Sequence, residues 1–422
     1  MISIALTLLI AMTFFWSYRS FGLASFVTMG VIGFSVYSIP AVLGLVYPFQ
    51  LQLGSRDTAL VPMASKAQLI TAFAWFFFLV TLAIVSSTRR SPPVIWSGAK
   101  QIDRALVLSF LCLSIAGYVW ISLTEGPLFF LQDRYDQSAS FIKLLWRWVN
   151  AFGFLAAVVA GTRNYAAIFL VFLVMYFLAG DRTVITITAV CYFVVMRPWA
   201  KRSGEFRPFY SAMLLVAVLS IVILGKPIYL AVKAQSLEPL VGRLIGSGIE
   251  VHLKAFEPFS TANLLNLTAT SEFRISFSDL FLNLLAQILI VPSFFGIDTN
   301  AFNTKFTEAF SLYLSWGVAG NYLAQAYAVG GLLGVAAYSI LLCSVLIWCD
   351  RNCSRRGVMK LLIAFIGALF AVYVHRNSLD NMLSFVRQFV IIAILSGGLA
   401  AIVRSLILVR HKYPQNSFNS RR

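Results

Sequence analysis

The chain has 422 residues and a formal net charge of +17, with 59% hydrophobic residues and only 12% Asp, Glu, Lys or Arg. A soluble domain carries about 25% charge, so a water-soluble enzyme of this composition would expose apolar patches and aggregate. A disordered chain is excluded by the amount of apolar surface available to bury. With a mean hydropathy of +0.83, the composition predicts an all-α polytopic integral membrane protein.

Apolar windows long enough to cross a bilayer, about 20 residues each, fall in chain order at 2–16, 21–47, 67–86, 105–124, 146–162 and 164–180. Others follow at 183–196, 209–232, 321–348, 358–375 and 382–408. The predicted architecture is about 11 transmembrane helices with one long loop. Residues 1–232 hold about eight spans, 233–320 the loop, 321–408 about three spans, and 409–422 a basic tail. Within the loop, Leu280 to Ile297 is apolar enough to lie in the interface or re-enter the bilayer, and Pro292 and Gly296 argue against a full span there.

The excess of bases follows the membrane, not a nucleic acid. Nineteen of the 33 Lys and Arg residues, with only Asp103, Glu205 and Asp350 as acids, lie in alternate connections and the C-terminal tail. Short connections with a cationic excess face the cytoplasm, which predicts the C-terminus inside and, with 11 spans, the N-terminus outside; if the first segment does not span, the count is even and only the N-terminus changes side. No cleavable signal peptide is evident at the N-terminus. The five cysteines fall in spans or on the basic side, so no disulfide framework is expected. No fixed-period repeat or inverted duplication is visible.

Unusual residues collect on the outer face. The connection near 125–145 reads E-G-P-L-F-F-L-Q-D-R-Y-D-Q, and a short turn holds Gly180, Asp181 and Arg182. The last outer turn carries His375, Arg376 and Asp380. If 376–387 were one helix, Arg376, Asp380 and Arg387 would fall on one line at about 100° per residue. An arginine inside an apolar run marks a wet cavity or a pair, so this trio is a functional candidate beside the alternative of a structural Asp380–Arg387 pair or snorkelling. Arg182, on a tight turn, is pre-organised to grip phosphate in a bidentate fork, or else pairs with Asp181. His375 is either a general base or a hydrogen-bonded helix-end cap. Glu125, Asp133, Asp136, Asp298 and Glu308 are further carboxylates able to act as a base. Asn321 and Gln325 suit either a sugar or a neighbouring helix, and the run Gly317–Gly334 suits small-residue helix packing at Gly330 and Gly334.

The chain lacks an Asp-x-Asp pair, an H-E-x-x-H motif, a Cys/His cluster, a P-loop and a G-x-S-x-G elbow. That disfavours nucleotide hydrolysis, zinc chemistry and Mg²⁺-dependent sugar transfer from nucleotides, and no metal or cofactor is expected. Arginines can take over charge neutralisation at a pyrophosphate.

Several stretches, in this order and on one side, resemble the Wzy-type polymerases of lipid-linked oligosaccharide repeat units. They are the aromatic-then-charged loop with Arg134 and Tyr135, the G-D-R-T turn, and I-V-P-S-F-F-G in the long loop. A-Q-A-Y-A-V-G-G-L-L-G and R-N-S-L-D-N-M-L-S-F-V-R complete the set. The resemblance implies a GT-C-like glycosyltransferase of the bacterial inner membrane with its active site facing the periplasm. It would join undecaprenyl-pyrophosphate-linked oligosaccharides, without metal, for O-antigen, common-antigen or exopolysaccharide synthesis. By the same resemblance Arg182, Arg376 and Arg387 hold the pyrophosphate, Asp380 orients an arginine, and His375 or an outer carboxylate takes the hydroxyl proton. Arg134, Tyr135, Arg274, Asn321 and Gln325 bind the second carrier or the glycan. The implied partners are the bilayer, the lipid-linked oligosaccharide, a chain-length regulator and a flippase, with no nucleic acid. Two alternatives stand beside this reading: an O-antigen-ligase-like transferase, and a lipid flippase or transporter, which would show broken helices and ionisable groups within spans.

Overall fold

The structure, a computed structural model, describes residues 2–48, 60–87, 102–127, 129–131, 141–178, 181–203, 236, 257–271, 273–289, 302–310 and 320–412. It is an all-α polytopic membrane protein. Eight of its described helices are long and apolar enough to cross a bilayer. They are α1 (Ile2–Phe21), α2 (Phe26–Leu43), α3 (Ser65–Ser87), α4 (Arg104–Glu125), α5 (Phe141–Val159), α11 (Tyr322–Asn352), α12 (Val358–Ala368, running on through irregular turns to Arg376) and α13 (Leu379–Lys412). Shorter apolar helices are α6 (Arg163–Leu178), the first part of α7 (Arg182–Ser203) and α9 (Phe277–Ile288). α8 (Glu257–Thr270) and α10 (Phe302–Ala309) complete the set. The expected span at 209–232, together with Pro292 and Gly296, lies outside the described residues.

Helices dominate because in hydrocarbon every backbone amide and carbonyl must be satisfied within its own segment. Many side-chain hydroxyls follow the same rule. Ser38, Thr71, Ser109, Thr188, Thr268, Ser339 and Ser396 are buried, and each donates to the carbonyl four residues earlier. Large apolar side chains on the outer surfaces of the spans, such as Ile4, Leu8, Leu123, Val171, Leu333, Ile394 and Leu406, are exposed, a surface stable only against lipid.

α2 runs through the centre, against α1, α8, α11 and the end of α12. The core packs aromatic rings closely: Trp75 stacks on Phe34 at 4.2 Å, and Phe152 on Phe365 at 4.1 Å. A two-residue antiparallel pair, β1 (Leu45–Val46) with β2 (Val61–Pro62), joins α2 to α3, with Leu45 opposite Pro62 and Val46 opposite Val61.

Ties across the bundle join connections that the charge pattern assigns to one side. At the basic end, the Asp350 carboxylate at the close of α11 accepts from the Phe26 and Val27 amides at 2.8 and 3.0 Å. Arg351 donates to the Val85 carbonyl, and Arg404 pairs with Asp103. Partial burial works against the charged form of Asp103, but the Arg404 guanidinium and the Leu106 amide outweigh it and hold the carboxyl below the usual carboxylate range. At the opposite end, Lys143 pairs with Glu125, Arg147 with Asp181, and Arg376 with Glu257.

Asp350 satisfies two amides at the start of α2 that no intrahelical carbonyl can reach. Asp350→Ala should destabilise the protein by about 2–3 kcal/mol, read as a lower thermal unfolding midpoint in detergent. Asp350→Asn should recover part of the loss, because an amide oxygen still accepts but carries no charge.

α11 departs from the sequence expectation. Its window reads as one continuous span, but the helix breaks at Gly330 (φ −134°, ψ 15°) and Gly331 (φ 56°, ψ −140°). Gly331 adopts a conformation that L side chains rarely take. Gly334 packs against the first half of its own helix, where an added Cβ would lie 2.1 Å from the Ala326 carbonyl oxygen. The small residues therefore serve a fold-back within one helix, and not only contact between helices.

The long loop also carries structure that its polarity conceals. α8 is buried through Pro258, Phe259, Leu264 and Leu265, and it packs against α2, α3 and α11. Asn266 in α8 accepts from the Ala64 amide, and the Phe259 carbonyl accepts from the Tyr47 amide. α9 rests on α13 through Leu280, Asn283 and Ala286 and exposes Phe277, Phe281, Leu282 and Ile288.

Candidate functional site

The opposite end of the bundle gathers arginines around two carboxylates. Asp181 ends the turn before α7, and its Oδ1 accepts from the Thr183 amide at 3.0 Å. Its Oδ2 accepts from Arg147 of α5 at 2.6 Å. The Arg147 guanidinium also covers the rings of Trp148 and Phe385, at 5.3 and 5.6 Å. It is thus held by charge on one edge and by aromatic faces along its plane, the arrangement that suits a guanidinium with little freedom.

Arg376 follows α12, whose helix loosens into a π turn over Leu369–Tyr373 and a tight turn over Val374–Arg376. Its Nε lies 2.8 Å from Glu257 Oε1 at the start of α8, and its guanidinium sits 5.0 Å from the Tyr373 ring. The Nε–H is not aligned on that carboxylate, so the contact is an ion pair and not a directed hydrogen bond. Arg182 opens α7 and is half-buried. Arg182, Arg376 and Glu257 all lie within electrostatic reach of the Tyr37 hydroxyl, and Arg376 also lies within reach of Asp181. Three guanidinium groups from α5, α7 and the end of α12 are thereby set around Asp181 and Glu257. The local balance is cationic.

His375 is not part of that surface. Its ring is 1% exposed, a value that decides its accessibility. It stacks on Phe34 at 5.2 Å and 4°, faces Tyr37 at 5.9 Å and meets Tyr322 edge-on at 5.5 Å. The Gly30 and Ala371 carbonyls lie close to the imidazole, yet neither ring nitrogen has an aligned partner among the described residues. A cavity of about 20 Å³ borders His375, Tyr37, Tyr322 and Asn321, room for a single water.

Asp380 and Arg387 behave differently from the expected trio. Asn377 is extended (φ −139°, ψ 166°), so Arg376 is not on the helix that carries the other two, and the common helical line does not exist. Asp380 is fully buried and its Oδ1 accepts from Gln325 Nε2 at 3.0 Å. Gln325 Oε1 in turn accepts from the Leu379 amide at 2.7 Å. This clamp ties the first half of α11 to the start of α13, so the described bond of Asp380 goes to an amide and not to an arginine. Arg387 donates to the Leu289 carbonyl that ends α9, a favourable place for a cation at a helix C-terminus.

Asn321 caps α11, accepting from the Leu323 and Ala324 amides and donating to the Thr261 carbonyl. Both amides expected to meet sugar are therefore engaged in holding helix ends. Arg274 is exposed, donates to the Phe273 carbonyl and lies over the Tyr327 ring. Arg134, Tyr135 and Gly180 lie outside the described residues. In the loop, Lys305 pairs with Asp279 at 2.9 Å and, together with the Ser276 hydroxyl, holds that carboxyl below the usual range. Among the described residues no three of His, Cys, Asp and Glu are placed to hold a metal ion.

Arg147, Glu257 and Tyr37 are the members of the cluster that the sequence reading did not single out. Arg147 had a signal, since it interrupts the apolar run L-L-W-R-W-V and the rule for intramembrane arginines applies to it as much as to Arg387. Glu257 and Tyr37 had none, because only the packing of α8 on α2 brings them to the arginines. Comparison of the chain with protein-family models, with curated proteins and with solved structures finds no match.

Proposed function

We propose that this protein polymerises undecaprenyl-pyrophosphate-linked oligosaccharide repeat units by metal-independent glycosyl transfer at the periplasmic face of a bacterial inner membrane. The observation that carries the reading is the convergence of Arg147, Arg182 and Arg376 at the end of the bundle opposite the basic tail. A lipid-borne pyrophosphate is a dianion or more, held at headgroup level, and forked guanidiniums match its oxygens.

In the reaction, an acceptor sugar hydroxyl forms a bond to the anomeric carbon of the growing chain as the bond to the pyrophosphate oxygen breaks. The departing carrier keeps the electron pair, and the arginines stabilise the negative charge as it grows. The hydroxyl proton passes to a base. Glu257 is assigned that role here, as the carboxylate beside Arg376 that remains partly open to solvent, whereas the His375 ring is enclosed. Arg387 is engaged with the carbonyl that closes α9.

Incubation of the purified protein with lipid-linked repeat units in the presence of a chelator tests the proposal. Chain growth that continues undiminished in chelator is the expected result. No new glycosidic bond with or without divalent metal would reject it.

A second reading has one specific observation behind it. The broken α11, with the buried Asp380 bonded to its first half, resembles the discontinuous helices of transporters. Movement of the lipid-linked sugar across a vesicle membrane, with no new glycosidic bond, would favour it.

A further inference from the structure

Away from the arginine cluster, two cations meet on one aromatic ring. Lys66 Nζ lies 5.5 Å and Arg274 Cζ 5.1 Å from the centroid of Tyr327, so the charges are separated by no more than the sum of those distances. Both cationic side chains are exposed, while the ring beneath them is buried. Among the described residues neither cation has a carboxylate in ion-pair contact, and Arg274 directs one N–H to the Phe273 carbonyl. Two like charges braced on one ring, with no ion-paired carboxylate among the described residues, make a place where an anion is favoured.

The surroundings identify the kind of anion. Lys66 is the second residue of the α3 span, which sets it at the bilayer boundary. One turn deeper on α3, Leu69 is exposed. On the neighbouring α11 the break at Gly330 and Gly331 begins three residues beyond Tyr327, and a Cβ added at either glycine would meet nothing within 4 Å. Leu332 and Leu333 just past the break are exposed, Leu333 at 84%. The cations therefore sit at headgroup level, with a notch and bare leucines on the deeper side. A water-soluble anion has no use for the second feature, and an apolar ligand has none for the first.

We propose that Lys66 and Arg274, backed by Tyr327, bind the phosphate of an anionic membrane lipid whose acyl chain lies along Leu69, Leu332 and Leu333. None of these residues belongs to the arginine cluster, and only Arg274 is shared with the carrier- or glycan-binding set that the family resemblance implies.

Native mass spectrometry of the full-length protein in neutral detergent, titrated with phosphatidylglycerol, tests it. The wild type should retain phosphatidylglycerol more tightly than phosphatidylcholine. Lys66→Gln with Arg274→Gln should weaken that binding by about 30-fold, each base near a membrane surface contributing about fivefold. Lys66→Arg with Arg274→Lys should retain it, which separates lost charge from lost folding. Arg355→Gln with Arg356→Gln, exposed bases at the other end, should leave it unchanged. Unaltered affinity in the glutamine pair, an equal loss in the Arg355 and Arg356 pair, or displacement of the lipid by inorganic phosphate at matching concentration would each overturn the proposal.

Discussion

Arg182→Ala and Arg376→Ala should each lower chain growth by about 100-fold or more, leaving single repeats in place of a ladder of long chains in cells. The size follows from the chemistry proposed for the site. Each guanidinium contributes charge-assisted contacts of about 1.5–3 kcal/mol to a phosphate, and loss of one preorganised donor to developing negative charge costs about 10²–10³ in rate. Arg376→Lys should not rescue, because an ammonium cannot reproduce the planar fork that reaches Glu257 and lies over Tyr373. Arg387→Ala should behave otherwise. Its guanidinium caps the Leu289 carbonyl, so its loss should lower thermal stability more than turnover per folded molecule. Ladders unchanged in both Arg182→Ala and Arg376→Ala, at normal protein levels, would remove the site.

The second large effect concerns the break in α11. In Gly334→Ala the new methyl would overlap the Ala326 carbonyl oxygen, a backbone atom that cannot swing away. Overpacking of this kind costs about 1–3 kcal/mol, and Gly331→Ala adds backbone strain of about 1–3 kcal/mol at its positive φ. The double variant should unfold at a markedly lower temperature in detergent than the wild type. Gly398→Ala is the control: that glycine is helical, with open space where its Cβ would be, and the substitution should be neutral or slightly stabilising. Equal midpoints for the Gly331/Gly334 variant and the wild type would mean that the two halves of α11 can straighten freely. Variants of Gln325 should share the phenotype in weaker form, because its amide holds the first half to Asp380 and Leu379.

The arginine cluster marks the limit of what spacing can convey. Arg182 is legible because a charged turn between two apolar runs has nowhere to go except the boundary. Arg147 was equally legible by the same rule, being an arginine set among tryptophans at the mouth of a span. The line drawn through Arg376, Asp380 and Arg387 rested on an unbroken helix, and Asn377 removes that premise. A helical wheel carries no information about where a helix stops, because an extended residue resets the phase of everything after it.

α8 makes the complementary point. Its sequence, E-P-F-S-T-A-N-L-L-N-L-T-A-T, is too polar and too short to register as a membrane segment. It is nonetheless buried, because α2, α3 and α11 leave a gap at that end which its leucines and Phe259 fill. Glu257 reaches Arg376 only as a consequence of that fit.

Fold class and the places of the eight long spans were determined by the sequence alone, whereas two of the eleven expected windows form shorter apolar helices. Apolar length and the placement of Lys and Arg act through the bilayer, which responds to composition and is indifferent to neighbours. Which arginines share a site, which amides hold helix ends and where α11 breaks were decided only by the tertiary structure. Those outcomes depend on contacts between segments far apart in the chain, such as Arg376 with Glu257 and Gln325 with Asp380, and no local pattern encodes the shape of a partner that packing alone supplies.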